Sequence, residues 1–408
     1  MEGKCQVCKT VDDLINYSCG QCSKKVAYCV DCSLTYKCNH TVDVDEKLKT
    51  EDELHVYMFF QPQEGEMQGI LDTEGLQNEV LLVSKKTPKH AGFNYPFLIS
   101  QIPIDKIPYY YSASCQLGPN HYILMGGLEV ETETVFYSLK SGFIVEGNLG
   151  FWELNPIPQL KTARHCHQLV KLGERLYVLG GISKEATSTE LKFLSDCEYL
   201  DIPKLLEKVT TGKYPLVDEG VSKWTSIAPM NFRRAQFGSF EHGGTIYVFG
   251  GYSGTQAQVN SIERYVVSEN KWELIKDVKL GDKVLNPFLA ESLCLRGTNP
   301  DEIYILGGTD GKKRSKAVYA YNAKENKIDQ IAELKKERSG AHGYSDENTL
   351  YIFGGDSGDL SIERIRLIDG TATVKFIEPE FEGPVDSVNF EGIQGFFFGT
   401  FKTQAESN

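Results

Sequence analysis

The chain has 408 residues, of which 43 are basic and 56 acidic, giving a formal net charge of −13. With 41% hydrophobic and 24% charged residues, it has the balance of a soluble globular protein, and its length alone would suggest two to four domains at about 100–200 residues each. Such an acidic surface repels phosphate and anionic headgroups, which argues against general nucleic-acid or membrane-surface binding. No apolar run reaches the ~18–20 residues of a membrane-spanning helix. The first residues, Met1-Glu2-Gly3-Lys4-Cys5, lack the basic stretch and apolar run of a secretory signal. The expectation is an intracellular, cytoplasmic protein.

Seven of the 11 cysteines fall within the first 38 residues. They read Cys5-x2-Cys8, Cys19-x2-Cys22, Cys29-x2-Cys32 and Cys38-x-His40: four close pairs, enough ligands for two tetrahedral Zn2+ ions. A two-residue gap lets both thiolates of a turn reach one ion at about 2.3 Å, and soft thiolates suit a redox-inert structural metal. Disulfides are disfavoured in a reducing compartment, and unpaired thiols would not account for the paired spacing. Val11, Leu14, Ile15, Val26, Tyr28 and Leu34 make too small a core to fold without metal. With four protein ligands on each ion, no open position is left for catalysis.

These pairs resemble the B-box zinc finger, with RING-type modules as the nearest competitors. The resemblance implies a cross-brace: Cys5, Cys8, Cys29 and Cys32 on one zinc, and Cys19, Cys22, Cys38 and His40 on the other. The final Cys38-x-His40 departs from the two histidines that end many B-boxes. Residues 41–54 follow as an acidic linker, without the heptads of a coiled coil.

Beyond the linker, Tyr122-Ile123-Leu124-Met125-Gly126-Gly127 recurs with its glycine pair at Gly180-Gly181, Gly250-Gly251, Gly307-Gly308 and Gly354-Gly355, and in degenerate form as Phe396-Phe397-Phe398-Gly399-Thr400. Spacings between the first glycines are 54, 70, 57, 47 and 45 residues, and a period near 50 marks a propeller or another repeat array. Each copy places a hydrophobic strand and a glycine turn (Gly173-Glu174, Gly243-Gly244) ahead of the glycine strand, the pattern of a hairpin. A third strand then carries tyrosine (Tyr199, Tyr265, Tyr319 or Tyr321). A fourth carries tryptophan (Trp152, Trp224, Trp272), read as packing between neighbouring sheets. The glycine pair suits a strand crowded by its neighbours near the central axis.

This set resembles the kelch repeat over about residues 55–404, which implies an all-β fold: a six-bladed kelch β-propeller behind the small zinc module of residues 1–40, with 405–408 as a tail. Six glycine strands imply six blades. The last copy has two strands left before the C-terminus, so strand-like segments at His55–Phe60, Glu79–Val83 and Pro96–Ile99 are expected to complete it and pair the two ends of the domain. A long insertion, residues 201–222, interrupts the second blade.

For function, the kelch resemblance implies a protein-interaction platform, in several relatives a substrate-recognition subunit of ubiquitin ligases. No catalytic constellation is found, so the protein is not expected to be an enzyme. His165 and His167 read as a hydrogen-bonded or solvated pair near a strand start, with a shared metal as the alternative. Cys115, Cys166 and Cys294 read as small core residues of first strands. Basic residues recur ahead of successive first strands: Lys161 and Arg164, Arg233 and Arg234, then Lys335, Lys336 and Arg338. Propeller symmetry would gather them on one rim, and Arg164, Arg233, Arg234 and Arg338 are the candidate partner-binding residues, suited to forked pairing with carboxylates of an acidic peptide. The alternative is that they bond carbonyls between blades. The run Gly311-Lys312-Lys313-Arg314-Ser315-Lys316 adds basic solvated surface. The reading is an adaptor with a protein partner, the zinc module making a second contact and a link to ubiquitination; a cytoskeletal or ciliary scaffold without that link is the alternative.

Overall fold

The computed structural model describes residues 111–368, apart from 119–120, 131–135, 149–150, 204, 207–222, 356–361 and a few isolated positions, together with the backbone of several strands outside that range. The glycine strands Arg175–Leu179, Thr245–Phe249, Glu302–Leu306 and Thr349–Phe353 are almost continuously apolar, the signature of strands buried on both faces. The structure shows why. Side chains alternate along a strand, so Leu176 and Val178 face one neighbouring sheet while Tyr177 and Leu179 face the other. In the next glycine strand Ile246 and Val248 turn back toward that sheet, and Tyr247 and Phe249 forward. Fully burying each such side chain contributes about 1.5–3 kcal/mol. The core is therefore a series of layers between sheets.

Five four-stranded antiparallel sheets succeed one another as blades of a propeller. Blade 1 comprises Ala113–Gly118, His121–Met125, Gly142–Asn148 and Phe151–Pro156. Blade 2 comprises Gln168–Leu172, Arg175–Leu179, Cys197–Asp201 and Thr225–Ile227. Blade 3 comprises Gly238–His242, Thr245–Phe249, Ile262–Val266 and Lys271–Ile275. Blade 4 comprises Leu293–Arg296, Glu302–Leu306, Ser315–Asn322 and Lys327–Arg338, with Lys279–Leu280 added in parallel on its outer edge. Blade 5 comprises His342–Asp346, Thr349–Phe353, Ile362–Ile368 and Thr371–Ile377. The first strands of consecutive blades lie side by side, so they form the inner wall. The glycine strand is second in each blade, as the order of strands in the repeat implied.

The two ends of the domain share a sheet in the order Phe97–Pro103, Glu79–Lys85, Leu54–Phe60, Phe396–Lys402. The three N-terminal strands are those expected. The C-terminal contribution differs: among the described residues, Phe396–Lys402 stands at one edge of this sheet beside Leu54–Phe60, and the two-residue strand Glu380–Phe381 runs parallel to Phe97–Pro103 at the other. The degenerate copy thus takes the edge place, not that of a glycine strand. Near the N-terminus, Leu14–Cys19 pairs with Lys25–Cys29 and Val42–Val44. The side chains of Cys5, Cys8, Cys19, Cys22, Cys29, Cys32, Cys38 and His40 all lie outside the described residues, as does most of the 201–222 insertion. Its first turn is anchored by Ile202 and Leu205, both buried against blades 1 and 2.

The tryptophans behave as expected where described. Trp224, just ahead of its strand, donates its indole N–H to the Pro158 carbonyl (2.8 Å), and Trp272 donates to Ala228 (3.0 Å). Each thereby ties a blade to the chain leading into it.

Candidate functional site

The segment leading into each first strand crosses the glycine pair of the preceding blade. A Cβ on Gly180 (φ +55°) would stand 2.5 Å from the Arg234 carbonyl oxygen, so both the backbone angle and the space require glycine. The second glycine of the pair donates to that same carbonyl: Gly127 to Arg164 (2.9 Å), Gly181 to Arg234 (2.7 Å) and Gly308 to Arg338 (2.8 Å). The glycine pair is therefore a seat for the next blade's lead-in.

The arginines of these lead-ins turn inward. Arg164, Arg234 and Arg338 are 0%, 0% and 2% exposed. Arg164 donates to the carbonyls of Gly180 (2.9 Å) and Asp196 (3.0 Å) and pairs with Glu198 (3.0 Å). Arg234 donates to the Gly250 carbonyl (2.6 Å) and the Ser261 hydroxyl (2.7 Å) and pairs with Glu263 (2.9 Å). Arg338 repeats the arrangement with Gly354 and Glu363. Each carboxylate also accepts backbone N–H groups two or three residues ahead of its arginine: Lys161 for Glu198, Asn231 and Phe232 for Glu263, Lys335 and Lys336 for Glu363. Burial pulls the Arg164 and Arg234 guanidinium pKa values down, and Glu198 and Glu263 oppose it. Three of the four candidate partner-binding arginines are thus corrected to internal pins: their donors are engaged within the blade, and a partner's carboxylates cannot reach them. Arg233 alone is exposed.

The glutamates were not singled out from sequence. They lie 25–34 residues beyond their arginines, on third strands, each just after an apolar residue (Cys197, Ile262, Ile362). The paired presence of Arg before the first strand and Glu at this place was the available signal.

Two residues beyond each of these arginines, and at the same place ahead of blades 1 and 4, the backbone enters the left-handed region. Tyr111, Cys166, Gln236 and Glu291 have φ of 51–55°, and Gly340 has φ of 62°. Each costs about 1–3 kcal/mol in a non-glycine residue, offset here by a chain of hydrogen bonds running from blade to blade. Cys166 N–H donates to Tyr111 O (3.1 Å), Gln236 to Cys166 (3.0 Å), Glu291 to Gln236 (2.6 Å) and Gly340 to Glu291 (2.9 Å). The Gln236 amide also donates to the Glu291 carboxylate (2.6 Å). This arc lines the inner wall where the first strands begin. Cys166 therefore sits in a turn ahead of the first strand, a correction to its expected place inside it. Burial raises its thiol pKa, and Glu291 adds to the rise. Cys115 and Cys294 are in first strands, with burial pushing both thiols up to about 12.

The left-handed turn at Cys166 separates the two histidines. His165 shares a 2.8 Å hydrogen bond between Nδ1 and the Ser138 hydroxyl, and its backbone bridges to Ile182. His167 is 3% exposed, and neither ring nitrogen has a hydrogen-bond partner. Burial lowers both pKa values, that of His165 to about 4, with the Lys184 charge a second cause. No group of three or more potential ligands gathers here among the described residues.

What remains for a partner is the outer surface of the lead-ins and neighbouring turns. Phe232 (42% exposed), Arg233, Lys161, Lys335 and Lys336 face solvent on backbone held by the buried pins, and Tyr111 is 49% exposed. A cleft of about 210 Å3 between blades 3 and 4 is lined by Tyr247, Arg264, Glu273 and Tyr321, with the 2.9 Å Arg264–Glu273 pair on its blade 3 wall. That is smaller than the ~300–1,000 Å3 usual for a small-molecule site.

The family model for the kelch motif matches residues 233–279, from the blade 3 lead-in through its outer strand. Blade 3 thus carries a kelch motif, and the other blades repeat its strand order and glycine pair. It is similar to Kelch-like protein 25 of Xenopus tropicalis, 21% identical over 59% of this chain and 36% of that one. It is also similar to human Kelch-like protein 23, 25% identical over 60% and 37%. A Dictyostelium discoideum RING finger domain and kelch repeat-containing protein is 25% identical over 52% of this chain and 17% of its own. The chain spans about a third or less of the length of these kelch relatives. A kelch motif in one of a series of four-stranded blades agrees with the expected fold, and no helix among the described residues is long and apolar enough to cross a membrane.

Proposed function

We propose that this kelch-repeat protein is a cytoplasmic, non-enzymatic adaptor whose lead-in surface recognises a partner protein and whose first 40 residues make a second contact. The observation that carries the reading is the division of labour in the lead-ins: arginine and glutamate are sealed inside, and the residues beside them are held outward on immobilised backbone. Binding residues on a rigid scaffold lose little conformational entropy when a partner docks. Phe232 with Arg233 is the strongest such pair, because aromatic and arginine side chains dominate interface energetics. On intact chain, Phe232→Glu with Arg233→Glu is expected to remove a defined set of cross-linked partner proteins without changing the thermal melt. An unchanged set refutes the reading.

Two structural parts complete the proposal. The sheet shared by both chain ends is read as a sixth blade: Phe396–Lys402 lies against the first strands of blades 1 and 5, which would close the inner wall and leave no exposed edge. Residues 1–40 are read as a B-box-like module, with Cys5, Cys8, Cys29 and Cys32 on one Zn2+ and Cys19, Cys22, Cys38 and His40 on the other. The donor chemistry supports structural zinc, and metal analysis of the intact chain should return two zinc ions, reduced to one by Cys19→Ser with Cys22→Ser. The Dictyostelium relative, by its name, also joins a second module to kelch repeats, which favours a link to ubiquitination over a plain scaffold.

A further inference from the structure

Resting on the adaptor reading, we infer that the corner between blades 4 and 5 is a docking site for an acidic peptide segment of the partner. Lys312, Lys313, Arg314 and Lys316 lie on the turn and strand that follow the blade 4 glycine pair. Lys335 and Lys336 lie on the facing strand, in the bulge that Ser315↔Arg338 and Ala317↔Glu333 bracket. All six are exposed. In a chain of net charge −13, they outnumber the exposed local carboxylates Asp310, Glu333 and Glu337 by two to one.

The cations are held in place from beneath. Asp310 spends one carboxylate oxygen on the N–H groups of Lys312 (2.8 Å) and Lys313 (2.7 Å). The Thr309 hydroxyl donates to the Lys313 carbonyl (3.1 Å) and accepts from the Gly311 N–H (3.0 Å). Blade 3 braces the turn through Gln258, whose amide donates to the Thr309 carbonyl (3.3 Å). On the facing strand, Glu363 holds the backbone N–H groups of Lys335 and Lys336, and Arg338 holds Glu363. The buried pin thus presents lysines that the peptide would meet.

The size and setting of the patch choose the occupant. A nucleic acid longer than one hairpin would extend over a chain of net charge −13, and the six cations are not interleaved with exposed aromatic side chains on which bases could stack. A short run of glutamates or aspartates fits within the patch. Lysine point charges then give fast, salt-sensitive association more than tight binding.

Fluorescence anisotropy on the intact chain tests this, with a fluorescein-labelled peptide of eight glutamates as probe. Binding is expected to weaken ~10-fold between 50 and 200 mM salt, and at least ~10-fold in Lys312→Glu/Lys313→Glu and in Lys335→Glu/Lys336→Glu. It should be unaltered in Lys276→Glu/Lys279→Glu, beside the far end of the strand that carries Lys335 and Lys336. The site is overturned if the glutamate peptide does not bind, if the control pair loses as much, or if a twelve-residue uridine RNA binds as tightly. If the corner fails while Phe232→Glu/Arg233→Glu still loses its partners, the adaptor reading stands without this site.

Discussion

Blade 3 holds its lead-in with Arg234 and Glu263, both 0% exposed, whereas blade 4 has Leu289 and Tyr319 at the same two places, 8% and 5% exposed. In blade 3 the side chains from the lead-in and the third strand meet as an ion pair, and in blade 4 both places hold buried apolar or aromatic side chains. Blade 3 satisfies the local carbonyls and N–H groups with charge, and blade 4 fills the space with apolar surface. Blades 2 and 5 follow blade 3. The difference shows that the arginine–glutamate pair is not needed to build a blade. What it adds is a tie between the lead-in backbone and the third strand, which holds the neighbouring exposed side chains in place.

That comparison breaks most severely by removing one charge. Glu263→Ala leaves Arg234 buried and unpaired, and should cost roughly 3–5 kcal/mol in chemical denaturation. Copying blade 4 into blade 3, Arg234→Leu with Glu263→Tyr, should recover much of that loss, leaving about 1–2 kcal/mol. A double variant as unstable as Glu263→Ala would show that the two blades are not interchangeable.

A second contrast separates backbone strain from crowding. Gly180 and Gly173 have nearly equal φ, +55° and +58°, but a Cβ on Gly173 meets nothing within 4 Å. Gly173→Ala should cost about 1 kcal/mol. Gly180→Ala should cost about 3 kcal/mol, because the Arg234 carbonyl must also move. Equal losses would mean that the seat under the lead-in is loose.

A third contrast distinguishes blade 2 from blade 3 by pH. Blade 2 carries His165 and His167 where blade 3 carries Ala235 and Phe237. His165 has its folded pKa near 4, below the ordinary value of about 6.5. Between those values the unfolded chain takes up a proton that the folded chain refuses. The stability is complete above pH ~6.5 and is lost as pH falls toward about 4. At pH 5 the loss is roughly 2 kcal/mol for this group, and His165→Asn should flatten that part of the denaturation profile. An unchanged slope would place the titration elsewhere.

Much of this was legible in the residues. Strands buried on both faces must be apolar throughout, so RLYVL, TIYVF, EIYIL and TLYIF announce themselves; the tryptophans and the N-terminal strands of the shared sheet followed from the same pattern. The arginines misled because a recurrent charge before a strand has no direction in one dimension. Their burial depends on glutamates 25–34 residues away, and on left-handed turns at Cys166 and Gln236 that a residue type other than glycine does not advertise. The same turn placed His165 and His167 in separate surroundings where simple alternation had put them side by side.

Length, acidity, clustered cysteines and the glycine period are properties of the chain itself, and by themselves they determined a small cysteine-rich segment ahead of a repeat of apolar strands. Local periodicity suffices for that because each strand's pattern reflects its own two faces. Which charges are sealed and which meet water was decided only by the tertiary structure. The desolvation of an arginine is tolerable only where carbonyls and a carboxylate from distant segments converge on it, and such convergence exists only once the blades stand side by side.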